Sequence, residues 1–288
     1  MIILVIAALG LILGSFVNAL VWRVYMQEKE SSKAKKDAVL PPADDLSILK
    51  GRSMCPQCKH PLAAKDLIPV ISWLILRGKC RYCHKPISRQ YPLVELATAG
   101  LFILSALLWP RPDNDAINYN FVINLVVWLS VMIPGFMALI VYDLRWMLLP
   151  NRIIYPMIVI ASILASFNII SADNVISALI NTGTAVAIAG GIFYLLFVVS
   201  NGRWIGGGDV KLGLLIGLLL AKPELAFLIL LLASVLGTLF VVPGLLLKKV
   251  TTKSRIPFGP FLIIAAIIVK LFGATMFKWY ENFLLGPV

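Results

Sequence analysis

The run Leu225–Leu247 reads LAFLILLLASVLGTLFVVPGLLL and contains no charged residue. At about 1.5 Å of rise per residue, a helix of this length spans the roughly 30 Å hydrocarbon core of a bilayer. The rest of the chain has the same character: 60% of its 288 residues are hydrophobic and 14% are charged, against about 25% charged in ordinary soluble domains. The sequence therefore predicts a membrane protein and excludes an ordinary soluble domain.

Other apolar runs extend this pattern along the chain and predict an all-α polytopic membrane protein with about eight transmembrane helices. The run at 210–221 is the shortest, and it crosses the hydrocarbon only if the residues at 204–209 also lie at membrane depth. The predicted spans are 2–22, 91–109, 121–142, 153–171, 175–199, 210–221, 225–247 and 259–280.

The positive charge is distributed unevenly around these spans. Of the 26 Lys and Arg residues, 22 fall on one side of the predicted topology. Because cytoplasmic loops carry such an excess, the pattern predicts an N-terminus outside and a cytoplasmic loop at 24–90. Membrane topology and attraction to anionic lipid account for the net charge of +12, so no nucleic-acid partner is expected.

Four cysteines lie in that loop as two C-x-x-C pairs, Cys55 with Cys58 and Cys80 with Cys83. Each pair places two thiolates on one turn, and two such turns are typical of a tetrahedral structural Zn²⁺ site. Disulfides and free thiols are the alternatives, although thiols in the cytoplasm are normally reduced. With four thiolates present, the neighbouring His60 and His84 are interpreted as bystanders, and the metal has no open position for substrate.

Two carboxylates stand at the ends of predicted spans. Asp143 closes the third span and Asp209, preceded by three glycines, opens the sixth. An ionisable residue at membrane depth is a functional-site hypothesis by default. Two carboxylates from different helices at one depth are what an aspartic protease needs, since one ionised acid deprotonates a water while the other, protonated, polarises the scissile carbonyl.

Each acid also has a structural interpretation. Asp143 could pair with Arg145, and Asp209 could be a helix N-cap. The glycines before Asp209 allow close approach by an extended peptide, whereas a phosphate-binding loop is disfavoured because no G-K-[ST] follows them. Glu95, at the start of the second span, is either a partner of the helix dipole or an ion pair with Arg89.

Together, these residues resemble the bacterial type IV prepilin peptidases, which belong to the GxGD class of membrane aspartic proteases. GxGD alone is a weak signal; its combination with the four-cysteine loop and an upstream Asp is specific. The matching segments run through nearly the whole chain: 14–18 (GSFVN) followed by Arg23, 55–58 (CPQC), 66–80 (DLIPVISWLILRGKC), 87–88, 91–95 (YPLVE), Asp143, 149–151 (LPN), 206–212 (GGGDVKL) and 256–260 (IPFGP).

The resemblance implies that Asp143 and Asp209 are the catalytic pair and that Gly206 and Gly208 are the glycines of the GxGD motif. It implies a prepilin or pseudopilin substrate, of a type IV pilus or type II secretion system, that is cleaved after the Gly ending its leader. It further implies methylation of the new N-terminus from S-adenosylmethionine. The candidate substrate or methyl-donor region comprises Asn18, Arg23 and Glu95.

The predicted domain organisation has three parts. Residues 1–23 form the first transmembrane helix, residues 24–90 the cytoplasmic methyltransferase-associated loop with the zinc site, and residues 91–288 the helical peptidase core. The polar stretch Gln27–Asp45 predicts a flexible linker. The resemblance places the protein in the bacterial inner membrane, with the active site at the cytoplasmic side. An ion- or proton-coupled transporter and a zinc-loop membrane scaffold are the rival functions.

Overall fold

The computed structural model describes residues 1–31, 46–48, 51–110, 119–247 and 256–285. Within these residues the secondary structure is helical, with two isolated β-bridges in the loop between the first long helices and no strand. The helices are α1 (Ile2–Ser31), α2 (Ile71–Ile75), α3 (Gln90–Leu108), α4 (Tyr119–Val127), α5 (Ile133–Trp146), α6 (Asn151–Ile170), α7 (Val175–Val186), α8 (Ile192–Val199), α9 (Gly207–Leu220), α10 (Pro223–Leu246) and α11 (Gly259–Leu285).

The all-helical membrane fold predicted from the apolar runs is confirmed. Every predicted span coincides with a helix, and six helices in the described residues are long and apolar enough to cross a membrane. Two short π-helical segments, Trp128–Met132 and Ala187–Gly191, make α4 continuous with α5 and α7 continuous with α8. Two predicted spans are not among the six: α9 has 14 residues, or roughly 21 Å of helix, and in α11, which extends from Gly259 to Leu285, the described apolar stretch is Gly259–Gly273.

The first helix differs from its prediction at its C-terminal end. It continues to Ser31, well past the expected end of the span at residue 22, so the first residues of the predicted linker are helical. The extension includes Met26, Gln27, Glu28 and Lys29, which are good helix formers, so the helix can continue beyond its apolar part. The remaining linker residues, 32–45, and the basic residues Arg111, Lys248, Lys249, Lys253 and Arg255 lie outside the described residues.

The chain separates into two compact units. The first, called the loop unit, comprises Met1–Leu107 and Trp128–Ala138. The second, called the acid unit, comprises Leu108–Val127 and Leu139–Val288. The domain boundaries predicted at residues 23 and 90 divide the chain by the expected role of each part, whereas these two units are defined by compactness. Those boundaries stay a prediction.

In the acid unit, α9 is surrounded by other helices. It packs against α6, α7, α8, α10 and α11, and its Leu212, Leu215 and Ile216 are almost completely buried. A cluster of small buried residues, Ala185, Ala189 and Ala226, joins the α7 segment to α10. Within a bilayer the hydrophobic effect does not drive helices together, and small side chains favour their association because they let the helix backbones approach closely. The short helix that carries Asp209 is therefore held from several sides.

In the acid unit, the side-chain amides of two asparagines also join α4 to α6. Asn124 donates to the Oδ1 atom of Asn168 at 2.8 Å, and Asn168 donates back to Asn124 at 3.1 Å. Both side chains are half-buried on apolar helices. Reciprocal hydrogen bonds satisfy the two polar groups where few other partners exist, so they hold α4 and α6 in one register.

Candidate functional site

The two cysteine pairs of the loop unit have the same local structure. In the first turn Cys55 N donates to His60 O at 3.0 Å and Lys59 N donates to Cys55 O at 2.8 Å. In the second, Cys80 N donates to Lys85 O at 2.9 Å and His84 N donates to Cys80 O at 3.0 Å. Each turn is closed by an isolated antiparallel bridge to a proline, Met54 with Pro61 and Lys79 with Pro86. The repeated turn directs both thiols of each pair to one point.

The four thiols converge as a metal site requires. Their sulfur atoms all lie within 4.8 Å of one another, and the Sγ atoms of Cys55 and Cys83 are 4.0 Å apart. Four sulfurs at about 2.3 Å from a tetrahedral Zn²⁺ would be separated by roughly 3.8 Å, so the residues fit the ion. The disulfide alternative is not realised, because all four cysteines are free. His60 instead stacks on Tyr82, with ring centroids 3.8 Å apart.

The loop is closed by contacts around Asp66. This carboxylate accepts from Arg81 Nε at 2.7 Å and from the Tyr82 hydroxyl at 3.0 Å. Burial raises the pKa of Asp66, but the hydrogen bonds from Arg81 and Tyr82 outweigh it and hold the pKa below its usual value. Trp73 Nε1 donates to the Ile87 carbonyl at 3.3 Å. The helix α2 and the second cysteine turn are therefore fixed to each other.

Arg23 is buried on α1 and binds the entrance of the loop. Its guanidinium donates to the Ile48 carbonyl at 3.0 Å and to the Gly51 carbonyl at 2.7 Å. One turn further along α1, Gln27 donates to the Leu46 carbonyl at 2.8 Å. These bonds attach the segment before the first cysteine pair to α1.

Asn18 and Glu95 connect α1, α3 and the loop. The Asn18 amide donates to the Tyr91 carbonyl at 3.2 Å. Glu95, 6% exposed, accepts the Val70 backbone N–H at 2.7 Å and a hydrogen bond from Ser15. Neither sequence interpretation of Glu95 anticipated this bond, because its donor is a backbone group of the loop. The candidate residues Asn18 and Glu95 thus meet at the α1–α3 contact.

Val70 itself has an uncommon backbone conformation. Its φ of 59° is rare for a β-branched residue. Such a conformation costs on the order of 1–3 kcal/mol and persists only when its surroundings hold it. The hydrogen bond to Glu95 is one of the contacts that hold it, so the position of α2 depends on this carboxylate.

The two aspartates of the acid unit stand at helix ends. Asp143 lies in the last turn of α5 and is 6% exposed. Asp209 is half-buried in the first turn of α9. The two carboxylates are close enough for their charges to interact. The structure therefore brings together the pair that the sequence analysis selected.

Leu149 lies between the helix ends that carry this pair. A Cβ atom on Gly208 would stand 3.0 Å from the Leu149 side chain. A Cβ atom on Gly259, at the start of α11, would stand 2.5 Å from Asp143 Oδ2 and 3.8 Å from Leu149. A side chain at either glycine would therefore require its neighbour to move, Leu149 at position 208 and the Asp143 carboxylate at position 259. The Gly259 N–H also donates to the Asp143 carboxylate, a contact that the matching segment 256–260 did not reveal by itself.

The structural interpretations of the acids do not match the structure. The Arg145 guanidinium lies over the Trp146 ring, 5.7 Å from its centroid, and the ion pair found in the described residues joins Arg81 to Asp66 instead. The N-cap of α9 is Gly206 rather than Asp209. Lys211 donates to Asn151 at 2.6 Å. Neither aspartate forms an ion pair with a basic side chain among the described residues. Two neighbouring, poorly solvated carboxylates can share a proton, which is the arrangement needed to activate water.

Lys270 is a functional candidate that the sequence analysis left without a role, although a lysine within an apolar span is itself a signal. Its Nζ atom donates to the Leu219 carbonyl at 3.3 Å and lies 5.1 Å from the Trp109 ring centroid. Leu219 belongs to the last turn of α9, whose carbonyls lack helical partners. A cation at this end also complements the helix dipole. Lys270 therefore caps the short helix that begins with Asp209.

Two family models match the chain. The one described as Bacterial Peptidase A24 N-terminal domain covers residues 8–109, and the one described as Type IV leader peptidase family covers residues 130–242. The first contains the cysteine loop, and the second contains both aspartates.

Curated relatives match over most of their length. The chain is 32% identical over 286 residues to the prepilin leader peptidase/N-methyltransferase of Aeromonas hydrophila, covering 96% of this chain and 92% of that protein. It is 32% identical over 246 residues to the protein of the same name from Bacillus subtilis (strain 168), covering 84% and 90%. No solved structure matches the chain.

Proposed function

The chain belongs to the type IV leader peptidase family, and from this premise we propose that it removes the leader of type IV prepilins or pseudopilins and methylates the new N-terminus. The observation that carries the proposal is the proximity of Asp143 and Asp209, two poorly solvated carboxylates that form no ion pair with the basic side chains that the structure describes. Relatives at 32% identity over nearly the whole chain support this function over a transporter or a scaffold.

The two carboxylates supply the proton transfers of peptide hydrolysis. In the proposed mechanism the ionised acid takes a proton from a water, and the water oxygen attacks the carbonyl carbon of the leader Gly. The protonated acid donates to the carbonyl oxygen. Collapse of the tetrahedral intermediate breaks the C–N bond, the new amine receives a proton, and the leader leaves with a new carboxyl group.

The surrounding residues position the acids. The Gly259 N–H fixes the Asp143 carboxylate, and Leu149 separates the start of α9 from the start of α11. Gly206 ends the loop before α9 and Gly208 admits Leu149. A charged carboxylate beside a second one favours a shared proton, because both cannot ionise readily at close range.

Zn²⁺ is the proposed occupant of the cysteine site, held by Cys55, Cys58, Cys80 and Cys83. Its function is structural, because four thiolates complete the tetrahedral coordination and fold a loop too small to have its own core. Metal analysis of the purified protein, with cysteine variants as controls, tests the identity and number of ions.

The methyl donor proposed is S-adenosylmethionine, which supplies an electrophilic methyl group when it is bound. Asn18, Arg23 and Glu95 are the residues proposed to form the surrounding region. Because their polar groups already bond backbone atoms of the protein, they fit a frame around the donor better than direct ligands.

One experiment tests both activities. Purified protein is incubated with a prepilin, with and without S-adenosylmethionine, and the product N-terminus is analysed by mass spectrometry. We expect loss of the leader in both samples and an additional methyl group only with the donor. An intact leader would refute the peptidase, and an unmethylated product in both samples would refute the methyltransferase.

The proposed location is the bacterial inner membrane, with the cysteine loop and the acids at the cytoplasmic side. The charge distribution supports this orientation. An impermeant thiol reagent applied to intact cells should label a Cys introduced at the exposed Asp173 and should miss the four native cysteines. Labelling of the native cysteines in intact cells would reverse the orientation.

A further inference from the structure

The loop unit exposes an apolar surface outside its long helices. The surface, called here the α2 stripe, combines Ile71, Leu74 and Ile75, which are 54%, 60% and 70% exposed, with the preceding Leu67 and Ile68. Residues at i, i+3 and i+4 share one helix face. The stripe is therefore one continuous apolar face, and a contiguous patch of this kind marks an interaction site.

The opposite face of α2 is occupied by the loop itself. Trp73 donates to the Ile87 carbonyl, and its ring would lie 2.9 Å from a Cβ atom on Gly78. Trp73 therefore packs against other residues of the loop. The α2 stripe remains exposed.

The contact between Val70 and Glu95 gives the depth of the stripe. Glu95 is the sixth residue of α3, so it lies roughly 7.5 Å from the start of a helix whose 19 residues match the thickness of the hydrocarbon core. Side chains tilt toward the N-terminus of their helix. Val70, bonded to this carboxylate, therefore lies near the boundary between the acyl chains and the headgroups.

The residues around the stripe suit the same boundary. Lys65, Arg77 and Lys79 are exposed and flank α2 on both sides, where they complement anionic headgroups. Leu93 and Leu96, which neighbour Glu95 on the membrane helix α3, are 63% and 53% exposed and face lipid at this level. An apolar face with a basic border at the bilayer surface is typical of an interfacial helix.

We propose that the α2 stripe is a lipid-docking surface that inserts into the headgroup–acyl boundary and holds the metal-binding loop against the membrane. The occupant is the bilayer rather than a polypeptide, since the bond to Glu95 places the stripe at lipid depth without any partner chain. The inference does not depend on the peptidase activity.

Photo-crosslinking identifies the occupant directly. The full-length protein carries p-benzoylphenylalanine at Ile75, or at the exposed Lys85 beside the second cysteine pair as a matched control, and is reconstituted in lipid vesicles with pilin present. Both variants are first checked for bound metal. We expect lipid adducts at position 75 to exceed those at position 85 several-fold. A pilin adduct at position 75, or equal lipid adducts at both positions, would overturn the proposal.

A second measurement avoids the probe. In vesicles, trypsin should cleave after Arg77 several-fold faster in L74S/I75S than in the parent, because the polar variant leaves the bilayer surface. Equal metal content in the two proteins shows that the loop is folded. Equal cleavage rates at equal metal content would contradict lipid docking.

Discussion

Buried charged side chains have different surroundings in the loop unit and in the acid unit. In the loop unit Arg23 and Glu95 each bond backbone atoms of another segment, so their charges hold chain segments together. In the acid unit Asp143 and Asp209 are close enough for their charges to interact, and no basic side chain in the described part of the chain forms an ion pair with them. A buried charge with well-placed partners contributes to architecture, whereas a buried pair of like charges costs stability and is retained for chemistry. The comparison separates the residues that hold chain segments together from the pair proposed to carry out the reaction.

Removing either acid should have the largest effect. The substitutions D143N and D209N should each lower leader cleavage by about 10²–10⁴-fold or more, because an amide cannot accept the proton of water. The matched control is D173N, at an exposed carboxylate in the loop between α6 and α7, which should cleave normally. Cleavage rates on a purified prepilin provide the measurement. Near-normal processing by either acid variant would refute the pair.

Removing half of the metal site should affect methyl transfer at least as steeply as cleavage. The double substitution C80S/C83S leaves two thiolates, too few for a tight site, and should unfold the loop with loss of Zn²⁺. Time courses of leader removal and of N-methyl incorporation on one pilin measure both activities. A variant that methylates pre-cleaved pilin normally but cannot cut the precursor would assign the loop to the protease.

A displacement of one acid should have an intermediate effect. Gly259→Ala places a methyl group 2.5 Å from Asp143 Oδ2, so the carboxylate must move, and a shift of about 1 Å can cost roughly 10²-fold in rate. Gly183→Ala is the control, because nothing lies within 4 Å of its added Cβ. We expect slower cleavage only for Gly259→Ala, with methylation of pre-cleaved pilin unchanged. Equal rates for the two variants would place Gly259 outside the reaction centre.

Substitutions of Glu95 can distinguish the contribution of its negative charge from the contribution of its hydrogen bond to Val70. Glu95→Gln keeps an oxygen that accepts the Val70 N–H, whereas Glu95→Leu leaves that donor unsatisfied at a cost of about 1–3 kcal/mol. Hydrogen exchange across residues 66–76 should therefore rise in the Leu variant and change little in the Gln variant. If Gln lowers methyl transfer as much as Leu does, the negative charge itself acts in the donor region.

The smallest effect is expected from the ion pair between Asp66 and the exposed Arg81. D66N removes the negative charge from this pair, a contribution of about 0–1 kcal/mol for a pair with a solvent-exposed partner, and should slightly speed proteolysis of the loop at neutral pH. The partners of Asp66 lower its pKa. The stabilisation is therefore present at pH values above the usual pKa of an aspartate and is lost as the pH falls through the lowered pKa of Asp66. The difference between parent and D66N should disappear in that acidic range; a constant difference would show that the carboxylate charge is not responsible.

The features that could be predicted from the sequence are those that depend on residues close together along the chain. Uninterrupted apolar runs predicted the helices, and the spacing of Cys55, Cys58, Cys80 and Cys83 predicted the thiol cluster, since each pair forms within one turn. The partners of Arg23 and Glu95 could not be predicted, because they are backbone groups of loop residues with no distinctive side chain. The contact of Gly259 with Asp143 joins residues more than a hundred positions apart, and only the packing around Leu149 brings them together.

The amide pair of Asn124 and Asn168 acts on the far end of the helix that carries Asp143. Asn124 and Asp143 are 19 positions apart along the continuous helix Tyr119–Trp146, a lever arm of roughly 28 Å. A change of about 2° in the direction of that arm would carry the carboxylate about 1 Å, the displacement at which catalytic geometry fails. A neutral hydrogen-bonded pair near the opposite end of a membrane-spanning helix can therefore influence the position of a carboxylate that is proposed to act in catalysis.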